Sequence, residues 1–214
     1  MKTAVYSRWD GSQQEFSLDP KEALQTLTDL MMEGLSAEEA LEWMRQYGFE
    51  LAGLDFRVMG IEELVSELRA EQRELEQRYR LDQSTEELAQ RFDEILRREQ
   101  DTLREQHGFE SRSMNDFLER RHADTSRLSE SIDQFRDYDF ENEDAGDDFA
   151  ELLEELDRLR DLEDFVAEQG ERFRGDEPAD YETAQQIRER MQALEQMARD
   201  LRDGNFEQVS GEAL

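Results

Sequence analysis

The chain has 214 residues, with 57 Asp and Glu against 26 Lys and Arg, so its formal net charge at neutral pH is −31. Charge of this sign repels nucleic-acid phosphates, so ordinary direct binding of DNA or RNA is disfavoured and none is expected. With no Cys and 2 His, disulfide bonds and thiolate sites are excluded, and a zinc site is disfavoured. No apolar run approaches the roughly 20 residues that cross a bilayer, and the first residues lack the apolar stretch of a secretory signal. We therefore expect a cytoplasmic protein that does not bind membranes.

The chain is predicted to be folded in spite of its acidity. High net charge with low hydrophobicity is the signature of disorder, but the sequence contains 12 Phe and only 2 Pro, and its apolar residues recur at helical spacing. These patterns predict a mainly α fold. We expect long antiparallel helical hairpins that form an elongated bundle, with a small N-terminal extended segment.

Residues 1–18 are the least helical part of the chain. A turn signal at Trp9 to Gly11 follows Val5 and Tyr6, which predicts an extended segment whose aromatic side chains pack on the helices. Asp19 and Pro20 then have the residue types of an N-cap and a first helical position, so they predict the start of a helix.

Gly34 is predicted to end this first helix. Ser36 and Glu39 have the spacing of a capping box and predict a second helix that ends at Gly48. The stretch from Phe49 to Met59 is predicted either as a loop or as a short hairpin partner for residues 3–7.

The helical pattern is strongest between residues 61 and 103. Apolar residues keep helical spacing from Ile61 to Tyr79 and again from Leu88 to Leu103, in a region rich in Glu and Arg. Ser84 with Glu87 predicts a capping box at the start of the second stretch. We predict two long antiparallel helices that join near Leu81–Gln83, with narrow coiled-coil-like seams.

The helical pattern is weaker over residues 107–135, and the acidic run from Asp137 to Asp148 is predicted to be a connector. Residues 149–166 then predict one long helix, and Gly170 to Pro178 a loop. Asp180 is predicted to cap the last helix.

Three segments follow from this pattern. They are an N-terminal helical subdomain at 1–106, a weakly helical and acidic connector at 107–148, and a C-terminal helical hairpin at 149–214. Phe206, Val209 and Leu214 are typical of the start of a further segment.

The acidic run also suggests a calcium site. Asp137, Asp139 and Glu141 are spaced like the first ligands of an EF-hand loop. However, Asn142 stands where the sharp turn of that loop needs Gly, and Asp148 stands where a bidentate Glu is usual. A solvated linker is therefore favoured, and metal buffering by the run is kept as an alternative.

The sequence contains no pattern typical of an active site. His107 and His122 have no partner motif, and the many paired carboxylates are too common to indicate a pocket. No Gly-rich phosphate loop or nucleophile elbow is present. We therefore predict a protein that is not an enzyme and has no catalytic, cofactor-binding or metal-binding residues.

The N-terminal region is rich in aromatic residues, including Tyr6, Trp9 and Trp43. Packing in the core or at its edge is favoured for them, and an exposed anchor for a partner is the alternative, because Trp and Tyr dominate interface hot spots. If any residues bind a partner, we predict Tyr6, Arg8 and Trp9. Arg8 is a cation in an acidic chain, although it is equally suited to pair with a nearby carboxylate.

Several short motifs resemble the N-terminal helical region of bacterial von Willebrand factor A-domain proteins. The proteins concerned are those associated with MoxR-type AAA+ ATPases, a group that includes CoxE-like proteins. The resemblance extends along most of the chain and is strongest over about the first hundred residues. The matching motifs are Tyr6 to Gly11, Glu33-Gly34, Ala40-Leu41, Gly48, Gly60 to Leu64, and Arg78 to Asp82.

One part of that family is missing from this chain. The A domain binds a divalent metal through an Asp-x-Ser-x-Ser motif, and the nearest match here, Asp124 to Leu128, fails at its last position. The metal site is therefore not transferred to any residue of this chain. The resemblance implies a helical adaptor that works with an AAA+ ATPase, or with an A-domain protein, in protein remodelling or metalloenzyme maturation.

Four hypotheses remain for the function. The favoured one is a non-enzymatic adaptor whose negative field attracts a basic protein partner. The second is an acidic nucleic-acid mimic that occupies a basic DNA-binding protein. The third is metal buffering by the acidic run. In the fourth, the charge merely keeps the protein soluble in a saline cytoplasm, and salt-dependent folding would support it.

Overall fold

The computed structural model describes residues 20–50 and 57–204. The predicted mainly α fold is confirmed. The helices are α1 (Pro20–Met32), α2 (Ala37–Tyr47), α3 (Ile61–Arg78), α4 (Glu86–His107), α5 (Arg112–Arg121), α6 (Leu128–Asp133), α7 (Glu143–Glu154), α8 (Leu156–Gln169) and α9 (Tyr181–Asp203). The short strands are β1 (Gly48–Glu50), β2 (Arg57–Met59), β3 (Tyr79–Arg80) and β4 (Glu177–Pro178).

The chain divides into two compact units. The first contains Met1–Arg73 together with Met191–Leu214, and the second contains Glu74–Arg190. The two boundaries fall within α3 and within α9. They differ from the boundaries of the three segments expected at 1–106, 107–148 and 149–214.

In the first unit, α1 and α2 pack together, and local signals set their ends. Gly34 follows α1 with a φ of 109°. The predicted capping box of α2 is confirmed, because the Ser36 hydroxyl accepts from the Glu39 N–H at 3.2 Å and the Glu39 carboxylate accepts from the Ser36 N–H at 2.8 Å. This unit also contains a small apolar cluster of Ile61, Val65 and Leu201.

The stretch after α2 forms a strand pair. Strands β1 and β2 are antiparallel, with Phe49 opposite Val58. The two ends of this stretch therefore form strands, and the alternative that the whole stretch is a loop is wrong. Residues 3–7, the other proposed strand partner, lie outside the described residues.

The second unit is built around α4, which packs on α5 and α7. The apolar residues of α4 recur at helical spacing, so they form one stripe that faces the core. Phe135 lies at the centre of this core and makes edge-to-face contacts with Phe92 and Phe117 at 5.8 and 5.6 Å between ring centroids. Full burial of side chains of this size contributes about 1.5–3 kcal/mol each.

The connection between α3 and α4 lies where the sequence predicted it, but its cap differs. The Ser84 hydroxyl donates to the carbonyl of Leu81 at 2.8 Å instead of capping α4. Thr85 holds the N-cap position and makes no side-chain capping hydrogen bond. The predicted capping box of Ser84 and Glu87 is therefore wrong, because the hydroxyl closes the preceding turn. Close antiparallel packing of the two helices stays a prediction.

Half of the acidic run is helical. Asn142 caps α7, since its side-chain oxygen accepts from the Ala145 N–H at 2.9 Å. Ala145 and Phe149 are buried, which fixes this turn of helix on the core. Residues 143–148 are thus part of a packed helix rather than a loop, and they do not have the backbone of an EF-hand loop. The single long helix predicted for 149–166 is two helices, α7 and α8, which meet at Glu155.

The predicted loop from Gly170 to Pro178 contains a short 3-10 turn and strand β4. Strand β4 pairs in parallel with β3, with Tyr79 opposite Glu177. After this loop, Asp180 caps α9 as predicted, since its carboxylate accepts from the Thr183 N–H at 2.9 Å.

Candidate protein-binding surface

Tyr6, Arg8 and Trp9, the residues predicted to bind a partner, lie outside the described residues. Their role therefore stays a prediction. The described part of the first unit nevertheless contains a candidate surface, which is formed by α1, α2, β1 and β2.

Exposed apolar side chains are concentrated in this region. Of the eight large hydrophobic side chains that are exposed in the described part of the chain, seven lie between residues 24 and 59 and one, Phe109, lies in the second unit. The seven are Leu24, Met31, Met32, Leu41, Trp43, Tyr47 and Met59.

A groove of about 460 Å³ lies in this surface, and we call it the α1–α2 groove. Trp43 and Tyr47 are 41% and 46% exposed, and their ring centroids are 5.3 Å apart. They are four residues apart on α2, so both rings lie on the same face of the helix. The full lining is Thr26, Asp29, Leu30, Glu33, Leu35, Trp43, Tyr47, Gly48, Phe49, Glu50 and Arg57.

A close contact between backbones forms one end of the groove. The chain turns at Gly48, whose φ is 74°. A Cβ atom at Gly48 would lie 2.2 Å from the carbonyl oxygen of Val58, and one at Gly60 would lie 2.4 Å from that of Gln46. Only glycine permits this approach. The turn brings Phe49, the first side chain after it, into the same groove as Tyr47.

The rim of the groove is acidic. Asp29, Glu33 and Glu50 line it, and Arg57 is its one basic residue. The guanidinium of Arg57 is already engaged, since it forms an ion pair with Glu63 at 2.9 Å and donates to the carbonyl of Tyr47 at 3.2 Å. The groove therefore presents aromatic rings inside a negative rim, a combination suited to a protein surface and unsuited to a phosphate.

The second unit contains a buried carboxylate that the sequence did not indicate. Glu99 on α4 is fully buried, and it accepts from the Tyr138 phenol at 2.8 Å and from the N–H groups of Glu141 and Asn142 at 3.0 and 2.9 Å. Burial raises the pKa of Tyr138 well above its ordinary value, and the hydrogen bond to Glu99 raises it further. The periodicity of α4 gave no signal for this site, because Glu99 resembles every other Glu of an acidic helix.

The two histidines make separate contacts in the second unit. His107, at the end of α4, contacts the carboxylate of Glu141 at 2.8 Å. His122 follows α5, and its backbone N–H donates to the carbonyl of Leu118 at 3.0 Å. Among the residues that the structure describes, no group of three or more His, Asp or Glu is arranged to hold a metal ion.

Comparison with known proteins does not identify a family. No protein-family model, no curated protein and no solved structure matches the chain. The resemblance to A-domain proteins therefore stays an expectation from the sequence. Within residues 20–50 and 57–204, no helix is long and apolar enough to cross a membrane.

Proposed function

We propose that the chain is a non-enzymatic helical adaptor that binds a protein partner through the α1–α2 groove. The main support is the concentration of exposed apolar side chains in one short region of a chain with a net charge of −31. A sequence with so many charged residues can readily cover its surface with them, so exposed aromatic rings need another cause. Exposed apolar patches rimmed by polar groups are typical of protein interaction sites.

Trp43 and Tyr47 are the residues expected to contribute most to the binding energy. Trp and Tyr are enriched among interface hot spots because each buries a large, rigid surface at a small cost in conformational entropy. The acidic rim of Asp29, Glu33 and Glu50 favours a partner with basic residues around an apolar contact.

The proposed partner is a MoxR-type AAA+ ATPase, or an A-domain protein that works with one. This identity rests on the sequence resemblance described above, and the role it implies is protein remodelling or maturation. The proposal includes a cytoplasmic location, which suits a chain without Cys to form disulfide bonds.

Affinity capture from the native lysate at moderate salt, with mass spectrometry of the bound proteins, tests this proposal. The wild-type chain should retain an AAA+ ATPase or an A-domain protein, and the variant Trp43→Ser should lose it while still unfolding in a cooperative thermal transition. The matched control is Phe109→Ser, since Phe109 is an exposed aromatic residue of the second unit. That control should retain the partner.

Two results would contradict the proposal. Equal retention of the partner by the wild type and by Trp43→Ser would place the binding site elsewhere. Capture of DNA-binding proteins that free DNA displaces would instead support the alternative of an acidic nucleic-acid mimic, whose binding weakens steeply with salt.

A further inference from the structure

A second groove lies in the other unit, at the start of α7. Its volume is about 490 Å³, and we call it the α7 groove. Aromatic and aliphatic side chains form its floor, and carboxylates stand at its rim. The lining residues are Arg136, Tyr138, Asp139, Phe140, Glu143, Gly146, Asp147, Phe149, Ala150 and Leu153.

The floor is held by contacts between rings. The ring of Phe140 lies 4.9 Å from that of Tyr138, edge to face, and 4.9 Å from that of Phe149. Gly146 faces Phe140, and a Cβ atom on it would lie 3.3 Å from the Cβ of Phe140. Phe140 can pack this closely on α7 because residue 146 has no side chain.

The carboxylates at the rim have no basic partner among the residues that the structure describes. Asp139, Glu143 and Asp147 form no ion pair with any residue of the described chain, whereas their neighbours Glu141 and Asp148, which do not line the groove, contact His107 and Arg98. The groove thus faces solvent with uncompensated negative charge.

The one cation in the lining does not neutralise this charge. The guanidinium of Arg136 forms an ion pair with Asp133 at 2.7 Å. Asp133 does not line the groove. The carboxylates of the rim therefore remain available to a basic group from outside the chain.

The wall of the groove is fixed by the buried Glu99. Its carboxylate accepts from the Tyr138 phenol and from the N–H groups of Glu141 and Asn142. The side-chain amide of Asn142 also donates to the hydroxyl of Thr102 at 2.9 Å. These bonds attach the segment from 138 to 142 to α4, so a ligand does not have to order it on binding.

We propose that the α7 groove binds a protein segment in which arginine or lysine flanks an apolar side chain. The apolar side chain would contact the partly exposed Phe140 and Leu153, and the cations would pair with the carboxylates of the rim. Arginine suits both parts of this site, because its guanidinium pairs with carboxylates and stacks on aromatic rings. This inference does not depend on the α1–α2 groove, and it would give the adaptor a second binding surface with its own occupant.

Binding of labelled synthetic peptides, measured by fluorescence anisotropy on the full chain, tests the proposal. The first peptide alternates arginine with leucine, and the second replaces leucine with serine at the same charge. The chain should bind the arginine–leucine peptide more tightly, because only that peptide supplies apolar contacts to the floor.

The variant Asp139→Asn/Glu143→Gln/Asp147→Asn should weaken binding of the arginine–leucine peptide about tenfold. Each exposed ion pair contributes roughly 0.2–1 kcal/mol, and about 1.4 kcal/mol corresponds to a factor of ten. The matched control is Glu105→Gln/Glu110→Gln/Glu119→Gln, three exposed carboxylates of the same unit that line neither groove and have no ion pair within the described chain. It removes the same charge and should leave the affinity within about twofold, since distant exposed charges are screened.

A third variant, Ala150→Trp, fills the groove without changing the charge. It should weaken binding of the arginine–leucine peptide to the level of the arginine–serine peptide. Thermal unfolding of each variant shows whether the fold is kept.

Three results would overturn the proposal. They are an equal loss of affinity in the two charge variants, equal affinity of the wild type for the two peptides, and loss of peptide binding in Trp43→Ser. The first two results would mean that the overall negative charge of the chain, and not the α7 groove, attracts the peptide. The third would assign the peptide to the α1–α2 groove.

Discussion

The carboxylate of Glu99 is fully buried and accepts a hydrogen bond from the Tyr138 phenol at 2.8 Å, while it forms no ion pair with any residue in the described part of the chain. Burying an unpaired charge is costly unless hydrogen-bond donors replace the lost water. Here the donors are the phenol and the N–H groups of Glu141 and Asn142. Glu99 thus connects α4 to the segment that leads into α7.

Replacing Glu99 with Gln should lower the free energy of unfolding by about 1–3 kcal/mol. The variant Glu99→Gln keeps the shape of the side chain, but it turns one acceptor oxygen into a donor amide. Because all three partners of Glu99 are donors, one of them would then lack an acceptor. Urea unfolding, followed by circular dichroism, measures the change.

Glu119→Gln is the control for this prediction. Glu119 is exposed on α5, so the same substitution there should change the free energy of unfolding by less than about 0.5 kcal/mol. Equal effects of the two substitutions would show that the hydrogen bonds of Glu99 do not stabilise the fold.

The stability of the chain should fall at alkaline pH partly because of Tyr138. The pKa of its phenol is raised by burial and by the hydrogen bond to Glu99. Below a pH of about 10, the ordinary pKa of Tyr, the phenol is protonated in both the folded and the unfolded state. Above it, the unfolded chain releases the proton while the folded chain keeps it, so the free energy of unfolding decreases as the pH rises.

Tyr138→Phe tests two effects of the phenol, which are its hydrogen bond to Glu99 at neutral pH and its titration at alkaline pH. At neutral pH the variant should be about 1 kcal/mol less stable, because it loses the hydrogen bond to Glu99. Above pH 10 its stability should decrease less steeply than that of the wild type, because the shifted group is gone. Urea unfolding over a series of pH values measures both effects, and parallel curves for the two proteins would contradict the explanation.

Asp180 should make the second unit less stable as the pH falls, whereas Tyr138 makes it less stable as the pH rises. Hydrogen bonds from Thr183 hold the pKa of this N-cap carboxyl below its ordinary value of about 3.9. Its contribution is therefore fully present above that value and is lost as the pH falls through the lower pKa of the folded state.

Asp180→Ala and Asp180→Asn test this contribution together. Loss of the cap in Asp180→Ala should cost about 1 kcal/mol at neutral pH. Asp180→Asn keeps an acceptor oxygen and should retain most of the stability while losing the acid dependence that belongs to this residue. Thermal unfolding at neutral and acid pH checks both points, and an unchanged acid dependence in Asp180→Asn would show that another group causes it.

The sequence predicted those parts of the fold that depend on neighbours along the chain. The capping box of Ser36 and Glu39 joins residues three positions apart, and the helical spacing of apolar residues reflects a single face of a helix. The start of α7 was missed because its many carboxylates were interpreted as a solvated linker. The signals for a helix, an Asn142 cap before Ala145 and Phe149, were nevertheless present in the sequence.

Other features had no local signal at all. Nothing near Glu99 indicates that it is buried, because its donors lie about 40 residues further along the chain. The candidate surface was only partly foreseen. The sequence identified Trp43 as one aromatic residue among several, with packing favoured, and only the structure shows that it is exposed in a groove beside Tyr47.

The pairing of β3 with β4 is a further contact between distant residues, and it depends on one glycine. The N–H of Gly175 donates to the carbonyl of Tyr79 at 2.9 Å. A Cβ atom at Gly175 would lie 2.0 Å from the carbonyl carbon of Arg78 and 2.4 Å from the nitrogen of Tyr79. Real side chains do not approach a backbone so closely, so any other residue must push the two segments apart.

Gly175→Ala should therefore cost about 2–4 kcal/mol, because the added methyl group meets rigid backbone. Urea unfolding measures this loss, and faster hydrogen exchange at the amide of residue 175 should show that its bond to Tyr79 is broken. The control is Gly170→Ala, where a Cβ atom would meet only the side chain of Val166 at 3.2 Å, so the cost should stay below about 1 kcal/mol. A Gly175→Ala variant as stable as the Gly170→Ala control would mean that β3 and β4 do not pair this closely in solution.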